Sequence, residues 1–175
     1  MAGKAVVGIV NNEVQAAQIF EELQEAGFSN GDISILIPEG SRISPEKSTK
    51  MPEGAATGAA AGGALGGVVG LLAGVGTIAI PGLGPFIAAG PILAALGGAA
   101  AGATAGGLTG ALVGLGMPEF EAKQYESRLA GGKLLVSVHT DYDDQRAMAR
   151  EILERCGAES IATAGESEPP KKMKK

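Results

Sequence analysis

The sequence predicts an α+β fold: a small sheet-and-helix domain interrupted by a long, uncharged helical hairpin. Two observations carry this prediction. Similar strand-helix-strand patterns occur near the two ends of the chain, and 65 consecutive residues between Glu53 and Glu119 contain no charged side chain. The 175 residues suffice for one domain with an insertion, so the two terminal patterns are expected to form one unit.

The first pattern starts with the β-branched run KAVVGIV at residues 4–10, which is typical of a strand. Asn12 is a suitable helix N-cap, with Gln15 three residues later, and Gly27 is a suitable stop signal. The helix between them repeats apolar residues at helical spacing: Ala16, Ile19, Phe20, Leu23 and Ala26. A turn at Ser29-Asn30-Gly31-Asp32 then leads into a second strand, ISILIP, at residues 33–38.

The second pattern repeats this order. KLLVSVHT at residues 133–140 predicts a strand, and ESIAT at residues 159–163 predicts the last one. Between them Asp141 is expected to cap a helix that closes at Gly157 and carries Ala149, Ile152, Leu153 and Cys156 on one side. Two such units fit a ferredoxin-like plan, in which two split βαβ halves form one antiparallel sheet with both helices on one face.

The chain divides into five predicted regions, because a long insertion lies between Pro38 and Lys133. Residues 1–38 form the first half, 39–53 a polar linker, 54–117 the uncharged hairpin, 118–164 a helix plus the second half, and 165–175 a disordered basic tail. In the helix after Pro118, the residues Ala122, Tyr125 and Leu129 share one side before Gly131-Gly132.

The uncharged segment contains 20 glycines, many of them at every fourth position. This spacing places glycines along one ridge of a helix, where a second backbone can approach closely. We therefore predict a glycine-zipper pair of helices. Three prolines at positions 81, 85 and 91 place a turn or short re-entrant piece at the tip. The predicted packing interface consists of Gly54, Gly58, Gly62, Gly66, Gly70, Gly74, Gly98, Gly102, Gly106, Gly110 and Gly114.

Interior glycines cost a helix up to ~1 kcal/mol each in water, so these helices need a compensating environment. Lipid supplies one, because unpaired peptide groups in hydrocarbon enforce helix. The predicted first helix, residues 55–80, spans roughly 39 Å, enough to cross a membrane with tilt. The alternative is a water-soluble oligomer that buries the same surfaces between its subunits.

Catalytic and cofactor motifs are absent from the sequence: it contains no G-x-G-x-x-G after a strand, no phosphate-binding G-x-x-x-x-G-K-[ST], no C-x-x-C and a single histidine. His139 near Asp141, Asp143 and Asp144 suggests an acid-base pair or a hard-cation site, but a first helical turn favours acidic residues without any ligand. Asn11 and Asn12 are expected to act as turn and cap. Cys156 is expected to be a buried, inert thiol. No enzyme activity, cofactor or metal is predicted.

Net charge and termini set further expectations. A charge of -5 argues against a nucleic-acid partner, although four of the last five residues are lysine and could touch anionic lipid. The first residues do not form a secretory signal, so the chain is expected to begin in the cytoplasm. Two crossings would then leave both flanking segments cytoplasmic.

The chain resembles bacterial general-stress or heat-induced stress proteins of the YflT-like group, which carry a glycine-zipper hydrophobic hairpin. The residues that carry this resemblance are VVGIVNNEVQAAQIFEELQEAGFSNGDISILIP, the Gly/Ala hairpin and, most specifically, EAKQYESRLAGGKLLVSV at residues 121–138. The resemblance implies a bacterial protein linked to stress and the envelope, without catalytic residues.

Together these observations predict a non-enzymatic stress protein at the bacterial inner membrane, which scaffolds or stabilises the envelope and has itself and lipid as partners. The alternatives are a cytoplasmic assembly or shell protein, and a small-ligand regulatory domain, although a small-molecule ligand is not expected.

Overall fold

The computed structural model describes residues 4–39, 75–80, 82–92, 107–114 and 116–164. The described residues form an α+β fold with one antiparallel six-stranded sheet. The strands are β1 (Lys4–Val10), β2 (Ile33–Pro38), β3 (Val75–Ile80), β4 (Gly84–Ala89), β5 (Leu134–Thr140) and β6 (Glu159–Ala164). The helices are α1 (Glu13–Glu25), α2 (Gly107–Gly114), α3 (Glu119–Ala130) and α4 (Asp143–Arg155), with a short 3₁₀ turn at Asn30–Asp32.

The strands lie in the order β3-β4-β2-β5-β1-β6. The strands predicted from the two terminal patterns occupy four neighbouring positions, and β4 and β3 extend the sheet beyond β2. Side chains alternate between the two faces of each strand. Both faces of this sheet carry a buried apolar cluster, so the sheet lies between two helical layers.

The first face is covered by α1 and α4, as the helical spacing predicts. Their buried side chains include Phe20, Leu23 and Leu153, which pack on valines and isoleucines of β1, β2 and β5. Ala26, also predicted on the apolar side of α1, is exposed because the helix ends before it. Cys156 is partly buried at the edge of this cluster.

The predicted helix ends recur in the structure. The Asn12 side chain accepts a hydrogen bond from the Gln15 amide at 2.8 Å, as expected of the N-cap. Gly27 and Gly157 both adopt positive φ, and the following amides return to Leu23 and Leu153. This is the glycine C-cap that the sequence predicts at Gly27 and Gly157.

One predicted cap is wrong. Helix α4 begins at Asp143 with Tyr142 as its N-cap residue, and no side chain caps it there. The predicted cap, Asp141, lies one residue before Tyr142. Instead, the Thr140 hydroxyl accepts a hydrogen bond from the Tyr142 amide at 3.2 Å. Thr140, at the end of β5, therefore stabilises the turn before α4 in place of Asp141.

The second face is covered by α2 and α3. Ala122, Tyr125 and Leu129 of α3 are buried together, as predicted, and Leu108 and Leu112 of α2 are fully buried beside them. The α3 helix starts directly after Pro118 and ends at Gly131-Gly132, where Gly132 has positive φ. Residues from the uncharged segment thus contribute to the core of the folded unit.

The predicted tip of the helical hairpin has a different structure. Residues 75–80, assigned to the first helix by the glycine spacing, form β3, and residues 84–89 form β4. They pair with each other in a regular register from Val75↔Ala89 to Ile80↔Gly84. The β-branched residues in VGTIAI and the glycines flanking Leu83 favour a β-hairpin, and this local preference prevails over the four-residue spacing.

The predicted interface glycines form two series at four-residue spacing, at positions 54–74 and 98–114, which we call the glycine ladders. The ladder positions 54–74 and 98–106 fall outside the described residues, as do the predicted linker beyond Glu39 and the predicted basic tail 165–175. In the described part of the chain, no helix has the length and apolar character needed to cross a membrane.

Candidate functional site

Helix α2 contains the two predicted interface glycines that the structure describes. Leu108 and Leu112, four residues apart, point into the second-face core, whereas Gly110 is half-buried and Gly114 is exposed. A Cβ added at Gly114 would meet no atom within 4 Å. Gly114 therefore makes no close contact with the described part of the chain.

Helix α2 is fastened to α3 by one carboxylate. The Glu126 side chain accepts a hydrogen bond from the Thr109 amide at 3.1 Å and also bonds the Thr109 hydroxyl. Since Thr109 lies in the first turn of α2, Glu126 satisfies an amide that the helix itself cannot and places negative charge at the positive end of the helix dipole.

A groove of about 570 Å³ lies between this contact and the β3-β4 turn. Gly82 and Leu83 line it from the turn, and Lys123 and Ser127 line it from α3. Lys123 forms an exposed ion pair with Glu119 at 2.7 Å, which lowers the pKa of that carboxyl. The groove is open to solvent and is lined by both polar and apolar side chains.

Gly90 holds the segment after β4 against β2. A Cβ at this position would lie 2.2 Å from the Ile33 carbonyl oxygen, and its φ is +85°, so only glycine fits. The Ser34 hydroxyl, fully buried, accepts a hydrogen bond from the Ile92 amide at 3.1 Å. Gly90 lies outside both glycine ladders, so the four-residue spacing does not predict its role.

His139 lines a separate cavity of about 240 Å³ at the end of β5, together with Asp32, Asp141, Tyr142 and Gln145. Its Nε2 lies 3.3 Å from the Ser137 hydroxyl. Burial lowers the pKa of His139, and the charge of Asp32 opposes that shift. The Ser137 side chain is 2% exposed, so it is not an accessible nucleophile.

The acidic residues near His139 differ in their surroundings. Asp32 and Asp141 line the same cavity as His139, whereas Asp143 pairs with Arg146 in the first turn of α4. Among the described residues, no group of three or more His, Cys, Asp or Glu side chains is placed to hold a metal ion.

Asn11 and Glu159 form a polar cluster at the opposite end of the sheet. Glu159 binds Lys133 at 2.7 Å and Arg128 at 2.9 Å, and the Asn11 amide donates to it at 3.1 Å. These contacts lower the pKa of Glu159, and the hydrogen bond from Lys133 has the largest effect. The cluster ties the start of β6 to α3 and to the end of β1, which is a structural task.

Cys156 has the properties of an unreactive thiol. Burial, with a smaller effect of the nearby Glu22, raises its pKa to about 11. Because the thiolate is the reactive form, a raised pKa suppresses nucleophilic chemistry near neutral pH.

Comparison of the chain with protein-family models, with curated proteins and with solved structures finds no match. Its function is therefore argued from its own residues.

Proposed function

We propose that this chain is a non-enzymatic protein that associates with itself at a membrane surface. One observation carries the proposal: the described parts of the uncharged 65-residue segment belong to the sheet and its core, yet they leave an uncharged sheet edge, β3, and an exposed glycine of α2, Gly114. The role in stress or in envelope support follows the resemblance of the sequence alone.

We propose that a ferredoxin-like unit carries the surfaces through which the protein associates with itself. The order β6-β1-β5-β2, with α1 and α4 on one face, supports two split βαβ halves. The hairpin β3-β4 then extends the sheet, and α2 and α3 cover the face that such a unit otherwise leaves open. In this arrangement the insertion both completes the domain and displays surfaces for contact.

The lengths of chain between residues held in the fold favour shallow membrane contact over two membrane crossings. Ile92 and Leu108 are buried in the same core, with 15 residues between them. Glu39 and Val75 belong to the same sheet region, with 35 residues between them. A segment that leaves and returns needs about 20 residues per crossing, or about 40 in all.

Membrane association is tested by fractionating cells that express the full chain. We expect recovery with membranes, and we expect Leu71→Asp to shift the protein to the soluble fraction, because a charge in an apolar contact costs several kcal/mol. Ser48→Asp is the matched control, since it adds the same charge in the polar linker. Wild-type protein found only in the soluble fraction would reject the membrane part and leave the soluble assembly.

Self-association through the glycine ladder is tested by two double variants that each introduce two leucines. Gly62→Leu with Gly66→Leu fills the predicted groove, whereas Ala60→Leu with Ala64→Leu places its two leucines on the other side of the predicted helix. Light scattering on the purified full chain should show smaller assemblies only for the glycine variant. Equal assembly sizes for both variants would contradict glycine-mediated packing.

A further inference from the structure

The two edges of the six-stranded sheet differ in how they are protected. At the β6 edge, the register shifts between Val7 and Ile9, Ser160 has φ of 51°, and Glu159 carries charge. Bulges and charges of this kind keep an edge from pairing with another chain. The β3 edge has a regular register over six residues and no charged residue.

The direction of the backbone groups of β3 follows from one hydrogen bond. The Glu39 amide donates to the Pro85 carbonyl at 2.9 Å, so the backbone of Pro85 faces the β2 side of β4. Its partner across the β3-β4 ladder is Ala79. In an antiparallel pair of this type the backbone groups of the two residues face away from each other, so the amide and the carbonyl of Ala79 point outward from the sheet. Alternation along the strand gives Thr77 and Val75 the same direction.

We propose that β3 pairs antiparallel with β3 of a second copy, about a two-fold axis that passes beside Thr77. In this register Thr77 faces Thr77 of the second copy, and Val75 faces its Ala79. Every outward amide and carbonyl at the three positions then finds a partner, and the two sheets become one continuous sheet. A two-fold contact is self-complementary by construction, which is the commonest arrangement in homo-oligomers.

The side chains of β3 suit a copy of itself. On the second face, Gly76 stands opposite Ile78 of the second copy, so a position without a side chain meets a large one. On the first face, Thr77 and Ala79 are exposed and small, and a threonine pair across strands is favourable. No residue of Val75–Ile80 is charged, so like-charge repulsion does not oppose the contact.

This inference deepens the proposed self-association and rests on it. The edge contact and the predicted glycine ladders involve different residues, so one can fail while the other holds.

The register is tested by oxidising two single-cysteine variants of the full chain in a Cys156→Ser background. In Thr77→Cys the two Cα atoms would lie about 5.5 Å apart across the two-fold axis, within disulfide range. In the matched control, Ala79→Cys, they would be offset by four residues, or roughly 13 Å. We expect a cross-linked dimer from Thr77→Cys only. Cross-linking of both or of neither overturns the proposed pairing, whatever the membrane fractionation shows.

The backbone role is tested by Ala79→Pro against Ala79→Val. Proline removes an outward amide and is tolerated at a sheet edge, whereas valine keeps the amide and favours a strand. We expect the proline variant to remain folded by circular dichroism and to weaken dimerisation by roughly tenfold or more in sedimentation. Unchanged dimerisation of a folded Ala79→Pro protein would exclude the β3 edge, and the ladder variants would then identify the surface that holds the assembly.

Discussion

The two faces of the sheet are built from different kinds of sequence. The first face is covered by α1 and α4, whose phenylalanine, leucine and isoleucine side chains alternate with charged residues at helical spacing. The second face is covered by α3 and by α2, which comes from a segment of small, uncharged residues. Strong amphipathic periodicity determines a helix from local sequence, whereas a glycine- and alanine-rich segment acquires its structure from what it packs against.

The largest expected effect tests how closely the second face is fitted. Gly90→Ala places a Cβ 2.2 Å from the Ile33 carbonyl oxygen and demands positive φ from alanine. We expect it to lower the free energy of unfolding by about 4 kcal/mol, since overpacking and left-handed strain add. Urea denaturation measures the loss.

Alanine substitutions at Gly82 and Gly114 distinguish the cost of overpacking from the cost of positive φ. Gly82 has positive φ but open space around it, so Gly82→Ala should cost only about 1 kcal/mol. Gly114 has neither constraint, so Gly114→Ala should be neutral or slightly stabilising. Equal losses for all three alanines would show that the close contact at Gly90 does not exist.

The next prediction compares the apolar cores on the two faces of the sheet. Leu153 on the first face and Leu112 on the second are both fully buried, so truncation to alanine should cost about 3 kcal/mol at each site. Thermal and urea unfolding of both variants measures the difference. A near-zero cost at Leu112 beside a normal cost at Leu153 would mean that α2 does not pack stably on the sheet.

The sequence predicts the first face well for an identifiable reason. β-branched runs, the Asn12 cap and the Gly27 and Gly157 stops are local signals, and each acts within a few residues of itself. The strand β3 was missed because the glycine spacing up to Gly74 predicts a continuous helix, and this long series outweighs the short β-branched signal of Val75–Ile80 when the sequence is taken alone.

The candidate site is less predictable than the fold. Which residues of β3 point outward depends on the hydrogen bond between Glu39 and Pro85, 46 positions apart in sequence. The close contact of Gly90 likewise depends on the position of Ile33 in the folded sheet. Contacts between distant residues of this kind leave no periodic trace in a single sequence.

A smaller effect is expected where α2 meets α3. Glu126→Ala removes the acceptor of the Thr109 amide, so we expect a loss of about 1 kcal/mol in the free energy of unfolding, as for other helix caps. The matched control is Glu151→Ala, which removes an exposed carboxylate from α4 on the first face. Losses of equal size at the two positions would argue that Glu126 is an ordinary surface residue.

The smallest effect concerns pH. Burial lowers the pKa of His139 below its unfolded value of about 6.5, so the folded protein binds a proton there less readily than the unfolded chain. The penalty is absent well above pH 6.5, and stability falls as the pH drops through that value. His139→Asn should therefore lose less stability than the wild type between pH 7.5 and 5.5 in urea titrations.

Because His139 is the only histidine of the chain, no other imidazole can account for a difference in pH dependence between the wild type and His139→Asn. Carboxylates such as Glu159, whose pKa is lowered, titrate at lower pH and affect both proteins alike. Asp32 faces the same cavity and favours the charged imidazole, so Asp32→Asn should steepen the loss of stability with falling pH. Identical slopes for the wild type and both variants would mean that His139 is fully solvated when the chain is folded, and that the cavity at this end of β5 is open to water.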